Sequence, residues 1–192
     1  IAPSEDVAVR IRRYFPGLDI DVWTHPEPAP APLPRIARVV ILGNLSPEKG
    51  LNVVAECARD ARERGLPLAF RVLGSTTEPI PQAPDVPLTI YGQYVDSDLP
   101  VLLAAEKPDV LLFAAQVPET YAYTLSVALQ SGVPIVASAL GAFPERLAGV
   151  TRSATVPWDA APGVWNDALL RAAEVAPRVS GAMPKAMSRV TT

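Results

Sequence analysis

Cysteine, histidine, methionine and aromatic residues are all scarce in this chain. One cysteine, one histidine and two methionines occur in 192 residues, and aromatic side chains make up 6%. A lone Cys57 can form no intrachain disulfide and no cysteine-based zinc cluster. A lone His25 leaves little for a histidine metal site or a Ser-His-Asp triad. Basic excess is missing too. Lys plus Arg number 17 against 20 Asp plus Glu, for a formal charge of -3, which excludes a general nucleic-acid binder that needs a positive face. No apolar run approaches the roughly 20 residues of a membrane-spanning helix. Carboxylates are scattered rather than paired, so no metal site is expected, and there is neither a signal-peptide pattern nor a tandem repeat.

Apolar residues, by contrast, make up 49% of the chain, enough for a sizeable buried core in one domain. Proline is abundant: 22 residues, against a usual share of about 5%. Five of them crowd into His-Pro-Glu-Pro-Ala-Pro-Ala-Pro-Leu-Pro, from His25 to Pro34. Repeated X-Pro pairs favour extended backbone and cannot sit inside a helix or a central strand, so residues 25–35 read as a semi-rigid connector. Ahead of it, Ser4 can cap a short helix over residues 5–13, and the alternation from Leu18 to Trp23 predicts a strand. One helix and one strand do not make a domain. With a first residue of Ile1 rather than Met, residues 1–35 read as the remnant of an upstream domain plus connector, in a piece of a longer protein. Residues 36–176 form the main domain, and residues 177–192 a loose tail.

Beyond the connector the pattern changes. Val39 to Leu42 is a continuous apolar run, as expected of a strand buried on both faces, and it stops at Gly43. A helix follows, with Ser46 as cap, Pro47 in the first turn, and an apolar stripe of Leu51, Val54, Ala55, Ala58 and Ala61. Cys57 reads as a small core residue at the edge of that stripe. Strands are predicted at residues 68–73, 87–91, 110–113, 134–137 and 153–156. Helices are predicted near 99–105, 122–130, 144–147 and 163–175. Short apolar strands alternating with helices predict an α/β fold with a Rossmann-like, doubly wound parallel sheet.

Ligands of such sheets bind beyond the carboxyl ends of the strands, which directs attention to three loops. The first, Gly43 to Gly50, offers a flexible Gly, a helix start and Lys49, a combination suited to phosphate. The second, Pro118 to Thr124, places Glu119 at the start of a helix beside Thr120 and Thr124. The third runs from Ala139 to Glu145, with Gly141 where backbone can approach a ligand closely. Taken singly, each is also an ordinary strand-to-helix turn.

Together, the motifs Gly-x-Leu-Ser-Pro-Glu-Lys-Gly, Pro-Glu-Thr-Tyr, Ser-Gly-Val-Pro-Ile-Val and Leu-Gly-Ala-Phe-Pro-Glu-Arg-Leu occur in that order. This series resembles the C-terminal domain of family 4 retaining glycosyltransferases (group 1), over about residues 39–174. The resemblance implies the C-terminal half of a GT-B architecture, which holds a nucleoside diphosphate sugar, UDP- or GDP-type, as substrate and needs no separate cofactor. It implies catalytic roles for Lys49, steadying the departing diphosphate, and for Glu119, orienting the sugar. Donor contacts are implied for Gly43 and Asn44 and for the backbone of Ala122, Tyr123 and Thr124. Gly141 and Glu145 match the next loop. Gly92 matches a family glycine, with Gln93 and Tyr94 near the base.

Two positions depart from the family pattern. Asn44 stands where an Arg partners the lysine, and an amide cannot neutralise phosphate charge. Val127 stands where a second Glu holds ribose, so Val127→Glu is expected to tighten nucleotide binding. The implied protein is a bacterial hexosyltransferase of surface polysaccharide assembly, cytoplasmic and peripheral to the membrane at full length. Its N-terminal acceptor-binding domain is missing here, so the isolated chain should bind nucleotide weakly and catalyse little. Two other readings stand beside it. One is a non-catalytic binding or scaffold domain with a degenerate donor site. The other is a different GT-B-like enzyme, such as a sugar-nucleotide epimerase.

Overall fold

A computed structural model describes residues 1–2, 4–23, 35–80 and 85–174. His25, nearly all of the proline-rich connector and the proposed tail at 177–192 lie outside the described residues. The chain divides into two compact units, Ile1–Leu33 and Pro34–Thr192.

In the first unit, Ser4 accepts a hydrogen bond from the Val7 N–H (3.3 Å) and caps helix α1 (Glu5–Tyr14). The alternating stretch from Leu18 to Trp23 forms no strand; it makes one parallel bridge, Ala2 to Val22. The period is right, but a strand needs a partner to satisfy its ladder, and among the described residues only Ala2 pairs with it. Ala2, Ala8 and Ile20 make up the small apolar cluster of this unit.

The second unit holds strands β1 (Ala37–Leu42), β2 (Leu68–Leu73), β3 (Leu88–Ile90), β4 (Val110–Phe113), β5 (Ile135–Ser138) and β6 (Ala154–Val156). Its helices are α2 (Leu51–Glu63), α3 (Leu99–Glu106), α4 (Tyr123–Ser131), α5 (Phe143–Leu147) and α6 (Pro162–Ala172). All strand pairs are parallel, in the order β3-β2-β1-β4-β5-β6. The chain runs outward from β1 to β3, then returns to the other side of β1 as β4 and runs outward again to β6. The expected doubly wound α/β sheet is therefore present, with its switch point between β1 and β4.

The apolar strand runs follow from burial on both faces. Val39 and Ile41 face a cluster with α2 and α6, in which Trp165 and Phe70 are the largest wholly buried side chains. Val40 and Leu42 face the opposite cluster, with Leu99 and Leu103 of α3, Leu125 and Ala128 of α4, and Phe143 of α5. Cys57 lies in the first cluster, and burial pushes its thiol pKa up, so it is an inert core group. Among the described residues, no helix is long and apolar enough to cross a membrane.

Candidate functional site

The switch point brings the β1 and β4 loops side by side. After β1, Gly43 takes a positive φ (96°), and the expected helix start at Pro47 is replaced by a separate 3-10 turn, Pro47–Lys49. Gly50, at φ 89°, separates this turn from α2, which begins only at Leu51. Sterics explain the interruption. A Cβ on Gly50 would lie 2.7 Å from the Ala114 Cβ and closer still to that residue's carbonyl. The chain enters α2 hard against the end of β4, and only glycine fits.

Ser46 does not cap this turn with its side chain. Its hydroxyl instead donates to Glu48 Oε2 (2.7 Å), which holds that carboxyl below its ordinary pKa. The Glu48 carbonyl accepts the Gln116 N–H at 2.7 Å. The Lys49 turn is thereby tied directly to the loop that carries Glu119.

That loop differs from the sequence expectation. Glu119 sits four residues before α4, not at its start, and the N-cap position is Ala122 with φ 55° and ψ 79°. A left-handed alanine is strained by roughly 1–2 kcal/mol, so neighbouring structure must hold it there. Gly141 takes part. Its φ is 55°, and a Cβ there would lie 2.6 Å from the Glu119 nitrogen, while the Ala142 N–H donates to the Glu119 carbonyl at 3.0 Å. The glycine expected to admit a ligand instead admits the backbone of Glu119.

The result is one continuous depression beyond the strand ends. An inner recess of ≈ 50 Å³ is lined by Gly43, Asn44, Lys49, Glu119, Ala122 and Thr124, among others. An outer cleft of ≈ 380 Å³ shares Gly43, Asn44, Lys49 and Thr124 and adds Gly74, Ser75, Gln93, Tyr94 and Asp96. A volume in this range suits a nucleotide-sized ligand. Lys49 is the one cation among the described lining residues. Burial, with a smaller contribution from Asp96, raises the Tyr94 pKa and keeps its phenol a neutral donor.

Eight of the eleven sequence-derived positions thus line one depression. Tyr123 and Glu145 are exposed and do not line it, and Gly141 supports it from behind. The sequence reading passed over Gly74, Ser75 and Asp96. Gly74 directly follows β2, and a Cβ on it would collide with the Gly43 backbone. Ser75 donates to Asn44 Oδ1 (2.9 Å), a pairing across two loops that no local pattern announces.

Val127 also lies away from its expected place. It packs against the apolar cluster under α3 and α4 and lines a separate groove of ≈ 340 Å³ with Leu103, Ala104 and Val133. It is not among the residues lining the Lys49 depression. Val127→Glu should therefore place a carboxylate in a groove that Lys107, Gln130 and Ser131 also line, lowering stability by about 1 kcal/mol or less without tightening nucleotide binding. A melting curve and a nucleotide titration of that variant check both halves.

No protein-family model matches the chain, and no curated protein matches it by sequence. Solved structures do match by shape. The C-terminal domain of a glycosyl transferase group 1 family protein (LpcC) from Francisella tularensis aligns with TM-score 0.54 and 17% identity, over 74% of this chain and 83% of that one. Anabaena HepE in complex with UDP-glucose aligns with TM-score 0.52 and 16% identity, over 70% of this chain and 38% of that one. The lipopolysaccharide outer core galactosyltransferase WaaB, apo form, aligns with TM-score 0.52 and 15% identity, over 90% of this chain and 52% of that one. The chain thus spans about two fifths to a half of the two longer structures. At these identities the likeness is one of fold: the chain carries the Rossmann-like fold of the C-terminal domain of GT-B glycosyltransferases.

Proposed function

We propose that this chain is the donor half of a retaining glycosyltransferase of family 4 type. The depression at the β1–β4 switch point would bind a nucleoside diphosphate sugar, UDP- or GDP-type. The observation that carries this reading is the meeting of Lys49, Thr124 and Glu119 in one recess, although they come from two loops far apart in sequence. An ammonium and a threonine hydroxyl suit a diphosphate, and a carboxylate beside them suits sugar hydroxyls. Gln93 and Tyr94, in the outer cleft, suit a base.

In this mechanism Lys49 neutralises charge that grows on the departing diphosphate, an interaction stronger in the transition state than in the ground state. Glu119 accepts hydrogen bonds from the sugar and orients it. The acceptor and any proton-accepting group would come from an N-terminal domain of the same polypeptide. The full protein would act at the cytoplasmic face of a bacterial membrane in surface polysaccharide assembly. UDP-glucose lies in the HepE structure, which supports a nucleotide-sugar ligand for the same fold here.

Asn44 favours a second reading, a scaffold domain with a degenerate donor site. Its side-chain oxygen is occupied by Ser75, and it brings no charge to the cleft. Calorimetric titration with UDP, GDP and their sugars separates the two. The donor reading expects dissociation constants in roughly the micromolar to millimolar range that weaken as salt screens the Lys49–phosphate attraction. A folded chain that binds none of these at millimolar concentration would be the scaffold.

A further inference from the structure

Arg146 lies on α5, outside the depression, and has no role in the function proposed above. Its guanidinium nevertheless makes a dense set of contacts with the β4–α4 loop. Nη1 donates to the Tyr121 carbonyl and to the Ala122 carbonyl (3.3 Å), and Nη2 donates to Ser126 Oγ (2.9 Å). The guanidinium carbon also lies 4.7 Å from the centroid of the Tyr121 ring, a cation–π stack. One planar fork therefore grips both residues at the left-handed turn and the first turn of α4.

These contacts meet where the backbone is strained. Ala122 sits at φ 55°, and its carbonyl also accepts the Leu125 N–H that opens α4 (2.9 Å). An unheld alanine would relax to negative φ and swing Glu119 and Thr124 apart, because they flank this one residue. We infer that Arg146 is a positioning residue. By clamping the Tyr121–Ala122 carbonyls it keeps Ala122 left-handed, and so keeps Glu119 and Thr124 in the same recess. Lysine cannot replace it, since a single ammonium does not span two carbonyls, a hydroxyl and a ring face at once.

The clamp itself is independent of what the recess binds; its effect on affinity rests on the donor reading. The test uses the full chain and four variants: Arg146→Lys, Arg146→Ala, Ala122→Gly, and Arg146→Ala combined with Ala122→Gly. Amide hydrogen exchange over residues 116–126 should quicken about tenfold or more in both Arg146 variants, with β1 and α2 unchanged. Binding of UDP or GDP should weaken by about tenfold in the same two variants, although Lys keeps the charge. Ala122→Gly, which removes the left-handed penalty, should restore a few-fold of the affinity lost in Arg146→Ala, with the double variant read against Ala122→Gly alone as its own reference.

Unchanged exchange in Arg146→Ala overturns the clamp, as does wild-type behaviour of Arg146→Lys. Failure of Ala122→Gly to improve a weakened Arg146→Ala overturns the link to backbone strain. If the wild type binds no nucleotide and loop exchange still quickens in Arg146→Ala, the donor reading falls and the clamp stands.

Discussion

Replacing Lys49 by Ala is expected to weaken UDP or GDP binding by about tenfold to a hundredfold, the loss of one charge-assisted contact of roughly 1.5–3 kcal/mol. The effect should be large because the depression offers no other cation among its described lining residues. Glu119 and Asp96 line it as well, so removing the ammonium leaves carboxylates as the charged side chains a phosphate would face among the described lining residues. Stability should barely move, since Lys49 is exposed and forms no ion pair among the described residues. Lys49→Arg should keep most of the affinity. Calorimetry at two salt concentrations, with a melting curve for each variant, checks the prediction. Equal affinity of Lys49→Ala and wild type would remove the diphosphate from this end of the cleft.

Gly141→Ala should damage the fold and the site together. Its φ of 55° already disfavours a side chain, and the added Cβ would press on the nitrogen and carbonyl of Glu119. Both obstacles are backbone, which cannot rotate aside as a side chain can. A loss of about 2–4 kcal/mol follows, or roughly 5–15 °C in melting temperature for a domain of this size. The Ala142 N–H bond to the Glu119 carbonyl stretches as the loops separate, so nucleotide affinity should fall as well. Gly149 is the control: it also has a positive φ (78°), but nothing lies within 4 Å of a Cβ placed there. Gly149→Ala should cost only the conformational penalty, about 1 kcal/mol, and leave binding intact. If both variants lose the same stability and neither loses affinity, Gly141 has no special relation to Glu119.

The contrast between these glycines shows what was legible beforehand. The sheet was readable because its central strands are buried on both faces, and that condition leaves a local mark in runs such as Val39-Val40-Ile41-Leu42 and Val110-Leu111-Leu112-Phe113. The helices carried their own periodicity. Two local readings failed because the deciding partner was distant. Leu18 to Trp23 alternates correctly but among the described residues bridges only to Ala2, and Pro47 looks like a helix start until Gly50 meets Ala114.

Sequence alone determined the α/β class, the order of the elements, and eight of the residues that line the depression, because periodicity, strand-end glycines and loop chemistry are written locally. Tertiary structure alone decided which of them meet. Lys49 and Glu119 share a recess because β4 returns beside β1. Val127 turns to the α3–α4 groove because of its position around the helix. Arg146 acquires its partners only when α5 folds against the β4–α4 loop. Contacts of that kind join residues twenty or more positions apart, and their energies depend on ångström-scale approach, to which local patterns of residue type are blind.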